Sequence, residues 1–544
     1  GTPFEMAVFM KPTNSTSLIV IDTFSSTSTS TTTISLAVTV FSILIILQLQ
    51  RAATRKASKN LAPLPPGPVP WPLIGNLPQL LLYKPTSRWV HGFMKEMNID
   101  IACIRVRNTH IIPVLSPEIA REICKKQDAI FANRPITLWT NETSDGYKTV
   151  VVTPYNKQWK KMKKMMISDV VSPSRLKWLH DKRAEEGDNL VFYVQNQYKA
   201  NKIVDLRQVT RHYCANLVRK MLFGRRNFGE GMPDGGPGSE EKEHMEAIFI
   251  SMKYVYSFCI SDYLPFLAGL DLDGHQKLVK HVNNVIGKYH NPIIDERIRQ
   301  WRSGQRQDMD DILDVFINLK DTSGQPFLTD DEIRYQLAEI TYASVDNPSN
   351  AVEWAMAEMI NKPELMKKAQ DEIDRVVGKE RLVQEYDIRQ LNYVKACARE
   401  AYRLHPLSPF NLPHMSMQDT TVAGYYIPKG SHALISRYGL GRNPKVWVNP
   451  LIFDPERHMN NGDVSLLEHD LRFISFSTGR RGCIADVLGT YMTIILLARL
   501  VQCFDWTPPP KGIDLSEAVD DLLTPAVPVT AFAKPRLPPH LYPV

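Results

Sequence analysis

Apolar and polar positions divide the chain into unequal parts. Ser25 to Thr33 are all Ser or Thr, and an apolar run follows from Ile34 to Leu47, interrupted only by Ser35, Thr39 and Ser42. With the Thr-rich stretch before it, that run reaches the roughly 20 residues that cross a bilayer. Arg51, Arg55, Lys56 and Lys59 come straight after it, and positive charge stays on the cytosolic side. The expected order is a lumenal Ser/Thr-rich segment over 1–33, a single-pass anchor over 34–50, and a body facing the cytosol. No small-residue cleavage site follows the run, so the anchor reads as retained. Pro63, Pro65, Pro66 and Pro68 stand within six residues. They cannot form a helix, so 51–70 reads as a basic patch leading into a stiff hinge.

From residue 71 to 544 the dominant period is helical. Thr329-Asp330-Asp331-Glu332 has the form of a capping box, a hydroxyl with a carboxylate three residues on. Apolar and small residues recur from Ile340 through Ala343 and Val345 to Met359, which predicts a helix of roughly 30 residues, long beside a mean near 12. Such a helix crosses the core of a large domain. Gly229 to Glu243, rich in Gly and acidic residues, reads as surface loop. Strand-like stretches are short, Cys103 to Val106 and Thr421 to Ile427. Length alone suggests roughly three domains, but this pattern favours one large, mainly α domain with small β-sheets.

Composition narrows the class further. Hydrophobic residues make up 43% and charged residues 23%, which excludes a disordered polymer or a fibrous repeat. The net charge of +7 suits an acidic partner or an anionic membrane and does not require nucleic acid. Seven cysteines, widely spaced and without a CxxC pair, argue against a disulfide framework and for a reducing compartment.

One cysteine has informative neighbours. Phe476-Ser477-Thr478-Gly479-Arg480-Arg481-Gly482-Cys483 resembles the haem-binding loop of a cytochrome P450. Three more motifs stand in the family's order. Pro63 to Pro68 resembles the proline hinge of microsomal members. Glu400-Ala401-Tyr402-Arg403 resembles the Glu-x-x-Arg pair, and Pro455-Glu456-Arg457-His458 resembles the segment that completes it. Ile484-Ala485 after the cysteine, His458, and Val345-Asp346-Asn347-Pro348-Ser349-Asn350 together resemble the plant CYP79 family. Its members N-hydroxylate amino acids to aldoximes, and the branch feeding cyanogenic glucosides and nitriles is the most similar. The resemblance spans nearly the whole chain and implies the cytochrome P450 fold behind an N-terminal membrane anchor.

The resemblance assigns roles residue by residue. Cys483 is the expected axial ligand of haem iron, with Gly479 and Gly482 expected to let the backbone approach the haem. Arg481, Trp159, Lys163 and His414 are expected near the propionates, although Lys163 stands where the family pattern has arginine and lacks its fork. Glu400, Arg403 and Arg457 form a structural ion cluster. Lys160, Lys161, Lys163 and Lys164 are an expected docking face for an acidic reductase. Most family members carry a threonine where this chain has Asn347. Pro348 lacks an N–H and crowds the carbonyl of Ser344, so the helix is expected to open there. The freed carbonyl and the Asn347 amide would hold water or grip a substrate ammonium, and Asp346 would relay protons.

The implied reaction uses haem b, dioxygen and NADPH electrons delivered by NADPH–cytochrome P450 reductase at the endoplasmic reticulum. Two N-hydroxylations, dehydration and decarboxylation turn a hydrophobic L-amino acid into its aldoxime, which downstream enzymes consume. Valine, isoleucine, leucine and phenylalanine are the expected substrates. Their pocket is expected among residues 136–154, near Val345, and from Leu407 to Leu412, with Phe410 and Leu412 as apolar walls. Three other readings stand beside this one: a carbon-hydroxylating P450 of another plant metabolite, a haem-thiolate isomerase or dehydratase, and a membrane haem protein without catalysis that serves as sensor or scaffold.

Overall fold

Thr329 opens a 32-residue helix, Asp330–Asn361, hereafter the central helix. The Thr329 hydroxyl accepts from the Glu332 N–H at 3.1 Å, and the Glu332 carboxylate accepts from the Thr329 N–H at 2.8 Å. These bonds satisfy donors that a helix start leaves open. The central helix is buried along most of its length because the helices Leu206–Phe223, Asn392–Leu404 and Asp486–Cys503 pack on it. The Leu206–Phe223 helix is capped by Asp205, which accepts from the Gln208 N–H at 3.0 Å, and it stops at Gly224.

A computed structural model describes residues 62–543 except 256, 460, 461 and 521, together with residue 42. The expected anchor over 34–50 and its flanking segments lie outside the described residues, residue 42 excepted. Among the described residues, one helix is long and apolar enough to cross a bilayer, Asp486–Cys503, and 72% of it is buried within the fold. It is a core helix. Of the expected hinge, residues 51–61 lie outside the described residues, and Pro66 already belongs to the body: its carbonyl accepts from the Cys103 N–H at 2.8 Å.

Short strands form small sheets. They are β1 (Ile104–Val106), β2 (Thr109–Val114), β3 (Val204–Asp205), β4 (His414–Met415), β5 (Thr420–Val422), β6 (Tyr425–Ile427), β7 (His432–Ile435), β8 (Phe504–Thr507) and β9 (Thr530–Pro535). One sheet has the order β1-β2-β7-β4. In it β2 and β7 run parallel, from Ile111 opposite His432 to Val114 opposite Ile435, and His414 of β4 faces Ala433. The strand expected over Thr421 to Ile427 is instead the hairpin β5–β6, reversed at Ala423 and Gly424, both with positive φ. Gly229 to Glu243 is not simply surface loop either. Glu241 is buried at the start of a helix and accepts from the N–H groups of Phe228 and Gly238, at 2.9 and 2.8 Å.

The frame is locked around one carboxylate. Arg403 donates to Glu400 through Nε at 2.8 Å and Nη2 at 2.6 Å. Arg457 Nε reaches the same carboxylate at 2.9 Å, His458 Nε2 at 2.7 Å, and the Asp454 N–H at 3.0 Å. The arginines also hold backbone: Arg403 bonds the carbonyls of Gly441, Pro450 and Ile452, and Arg457 that of Val448. Gly441 allows this approach, since a Cβ there would lie 2.0 Å from the Arg403 carbonyl oxygen. Burial alone would raise the Glu400 carboxyl, but hydrogen bonds from Arg403 and His458 outweigh it and bring it down to about 2.

Glu400→Gln should therefore cost ~3–5 kcal/mol, because it strands the buried Arg403 and the partly buried Arg457. Chemical denaturation at neutral pH, followed by circular dichroism, measures it. In the wild type, the carboxylate's contribution is complete above the unfolded value of about 4.3 and is lost as pH falls toward 2. The gap between the two proteins should therefore close on acidification.

Candidate active site

The segment Phe476–Cys483 folds back on itself just before the Asp486–Cys503 helix. The Cys483 N–H donates to the Phe476 carbonyl at 2.8 Å, and the Gly482 N–H to the Gly479 carbonyl at 3.1 Å. Gly479 has φ 73°, and a Cβ there would lie 2.3 Å from the Cys124 carbonyl oxygen. The positive φ and the packing on Cys124 both demand glycine at that position. Ala485 has φ −110°, so a methyl is tolerated where the family pattern has glycine.

This turn aims Cys483 at a cavity also lined by Ala343, Asp346 and Asn347 of the central helix. The other six cysteines are buried; Cys483 alone is exposed, and it faces this cavity. Its sulfur accepts from the Ala485 N–H at 3.4 Å. Enclosure by the chain pushes the thiol up to about 11, against the pull of that N–H. A coordinated metal ion would deprotonate it outright.

A cationic wall adjoins the cysteine. Asn156 caps the helix Lys157–Met165 by accepting from the Trp159 N–H at 2.9 Å, which fixes the indole in the wall. The Arg481 guanidinium lies 4.6 Å from the indole centroid and Lys163 Nζ 5.0 Å from it. Arg481 donates to the carbonyls of Ala132 and Thr153 at 2.5 and 2.7 Å, while its Nη1 is buried without a partner. Arg134 lines the same cavity and holds the carbonyls of Leu412 and Pro413, both at 2.8 Å. Burial, with the charge of Arg134, pulls Arg481 down to about 9. Lys163 is lowered for the same kind of reason, by burial and then by Arg481.

His414 stands differently. It is not among the residues lining the cavity. Its Nδ1 donates to the Phe131 carbonyl at 3.0 Å, and its Nε2 is buried without a partner. Burial and Arg134 take the ring down to about 3, so it is neutral and Nε2 carries a lone pair. It can donate to an anion only after gaining a second proton.

The central helix supplies the acidic wall. Asp346 is 1% exposed. Its Oδ1 accepts from the backbone N–H of Asn347 at 2.8 Å and from Asn347 Nδ2 at 3.4 Å, while Oδ2 has no partner. Burial raises this carboxyl to about 7, against the Asn347 N–H and the charges of Arg437 and Arg211. The opening expected at Pro348 does not break the helix, which is continuous from Asp330 to Asn361. Packing on neighbouring helices holds it, so the disturbance is confined to the missing N–H.

Cys483, Arg481, Trp159, Lys163, Asp346, Asn347 and Pro348 thus share one cavity, whereas Glu400, Arg403 and Arg457 lie away from it in the locking cluster. The apolar walls come from Trp139, Val150, Val151, Met252, Val255 and Leu412. Phe410 does not join them; it stacks on His91 with centroids 5.0 Å apart. Leu407 and Val345 are buried in packing. The lysine cluster divides as well. Lys161 is committed to Glu332 at 2.7 Å and Lys163 to the Arg480 carbonyl at 2.6 Å, which leaves Lys160 and Lys164 outward.

Three charged residues of the cavity have no counterpart among the sequence expectations. Arg134 is one. Glu339 is another: its buried carboxylate accepts from the Thr149 hydroxyl at 2.6 Å and from the N–H groups of Val150 and Val151, both at 2.9 Å, so it fastens that wall to the central helix. Arg437 is the third, two residues beyond β7. A local signal existed only for Glu339, an acid inside a helix otherwise read as core.

The Cytochrome P450 family model matches residues 65–530. Valine N-monooxygenase 1 of Manihot esculenta is 62% identical over 499 residues, covering 91% of this chain and 92% of that protein. Valine N-monooxygenase 2 of the same plant is 62% identical over 496 residues, 91% of each chain. Tyrosine N-monooxygenase of Sorghum bicolor is 56% identical over 489 residues, 88% of each.

The Asp346 carboxyl carries its own test. Its folded value near 7 lies above the unfolded value of about 3.9, so its contribution to stability is full below the latter and lost as pH rises through 7. Asp346→Asn does not titrate. Its melting temperature should gain on the wild type between pH 5.5 and 7.5 and level off above; a constant difference would contradict the buried-acid assignment.

Proposed function

The chain belongs to the cytochrome P450 family and, within it, to the amino-acid N-monooxygenases, and from that premise we propose that it converts an apolar L-amino acid, valine first, to the aldoxime. Two N-hydroxylations give an N,N-dihydroxy amino acid, which loses water and carbon dioxide. The observation that carries this reading is the shared cavity: the one exposed cysteine, a cationic wall and the Asp346–Asn347 pair meet around an apolar space.

The residues fit haem b. Cys483 would hold the iron. Arg481, with its free Nη1, together with Arg134, Lys163 and Trp159, would hold the propionates, and His414 would join them once protonated beside an anion. When bound, haem supplies dioxygen activation under a thiolate, with electrons from NADPH through a reductase. An ammonium nitrogen has no lone pair, so the substrate amine must lose a proton before it can be oxidised. Asp346, balanced near neutrality with Oδ2 free, is suited to hold that proton. Asn347 keeps Asp346 oriented through its backbone and side-chain donors, where most of the family has a hydroxyl. The apolar walls exclude water and select by size. One methylene is worth only ~1–3 kcal/mol, so isoleucine should follow valine closely.

The exposed Lys160 and Lys164 suit an acidic reductase, a smaller docking face than the sequence suggests. The segment 34–50 would anchor the protein in the endoplasmic reticulum membrane with its body in the cytosol, where enzymes that consume aldoximes would meet the product.

Microsomes containing the protein, a plant reductase and NADPH should turn labelled L-valine into 2-methylpropanal oxime. An intact haem-thiolate spectrum with only carbon-hydroxylated products would overturn the reading in favour of the carbon hydroxylase. Asn347→Thr should change the ratio of NADPH consumed to oxime formed; an unchanged ratio would remove Asn347 from the proton path.

A further inference from the structure

Arg437 stands two residues after the end of β7, with Ser436 between. The parallel pairing of β7 with β2 ends at Ile435 opposite Val114, and Ser436 caps the next turn by accepting from the Gly439 N–H at 2.7 Å. This fixes the backbone from which Arg437 reaches the cavity. The side chain lines that cavity, yet the residue is only 4% exposed.

A guanidinium carries five N–H donors. Arg437 makes one polar contact, from Nη2 to the Asn347 side-chain oxygen at 3.3 Å, and its Nε is buried without a partner. Among the described residues no carboxylate forms a direct ion pair with it; the Asp346 carboxyl feels its charge only across Asn347. Arg403, Arg499 and Arg183 differ, holding Glu400, Asp188 and Glu385, while buried Arg219 keeps Nε and Nη2 without partners but has Glu241 at 4.0 Å. A buried charge left without a counter-ion is costly. It is retained where a ligand brings the opposite charge.

Asp346 mirrors it. Its Oδ2 has no partner, and it forms no ion pair among the described residues. Asn347 touches both groups, accepting from Arg437 through its side-chain oxygen and donating to Asp346 through its N–H and Nδ2. Cation, amide and acid therefore stand in a row on one wall, each charged end with an unused atom. An α-amino acid carries an anion and an amine on the same carbon and complements both ends. A simple amine or a fatty acid complements one.

We infer that Arg437 anchors the α-carboxylate of the substrate and, with Asn347 between, sets the amine toward Asp346. This rests on the reading that the substrate is an amino acid. Arg481 Nη1 is a poorer candidate, because its guanidinium is committed with Arg134 and Lys163 to the other wall.

The test titrates the full-length, haem-loaded protein with L-valine, L-valinamide and 2-methylpropylamine, following the spin-state shift. The wild type should bind L-valine roughly 10- to 100-fold more tightly than the two ligands without a carboxylate. R437Q should lose that preference while its titration with 2-methylpropylamine stays near wild type. R437K, a point charge without a fork, should fall between. Equal affinity of the wild type for valine and valinamide overturns the inference, and that comparison decides the matter if R437Q does not fold. A variant that weakens all three ligands alike also overturns it. A wild type that makes no aldoxime fails the functional reading; one that makes it while R437Q keeps full preference for valine fails only the Arg437 assignment.

Discussion

Five donors converge on the buried carboxylate of Glu400, from Arg403, Arg457, His458 and the Asp454 backbone. The chain from Gly441 to Arg457 hangs on that point through carbonyls gripped by the same arginines. Trp447 lies under the cluster, with the guanidiniums of Arg403 and Arg457 at 5.2 and 5.9 Å from its ring. A charge at this depth is tolerable only because each lone pair is used. The result is a rigid frame just upstream of the Phe476–Cys483 turn. A metal ligand has to be placed to within a fraction of an ångström, and a loop with free torsions does not do that.

Polar satisfaction changes between frame and cavity. Around Glu400 every charged group is matched. Around the cavity, Arg481 Nη1, Arg437 Nε and Asp346 Oδ2 are buried without partners, as is His414 Nε2 behind the wall. The unmatched atoms divide by sign. Cations stand beside Cys483, where propionates would bring negative charge, while an acid and a second cation stand together on the central helix. This division follows the ligands proposed for the site: a dianionic cofactor against one wall and a zwitterion against the other. It also accounts for the cysteine, whose thiol stays protonated until a metal ion arrives.

Much of this was legible in sequence, and the limits have physical causes. The cysteine turn, the Glu-x-x-Arg pair and the long central helix are local patterns, so they could be read directly. Arg134, Arg437 and the true place of Phe410 depend on contacts between distant segments. Arg437 lines the cavity only because β7 pairs with β2 in one register, and nothing near it in sequence marks it. Phe410 is apolar at the expected position, yet it turns to stack on His91. Lys161 looks like part of a charged face until Glu332, on another helix, claims it. Charge runs and lone aromatics are poor guides because tertiary partners decide their use.

Pro348 illustrates the same point within one helix. A proline in a helix interior costs about 3 kcal/mol, and by local rules the helix should break there. It does not, because buried residues flank it on both sides. Val345, Ser349 and Asn350 are packed inward, and the Ser349 hydroxyl donates to the Asp346 carbonyl at 3.0 Å. Tertiary packing carries the local penalty, so the helix stays straight enough to hold Asp346 and Asn347 against the cavity. What proline removes is a donor, not a turn. The chain keeps a rigid helix while leaving backbone acceptor capacity beside Asp346, a buried acid that titrates near neutrality. For chemistry that must strip a proton from an amine in a dry site, that arrangement suits the task better than an open loop.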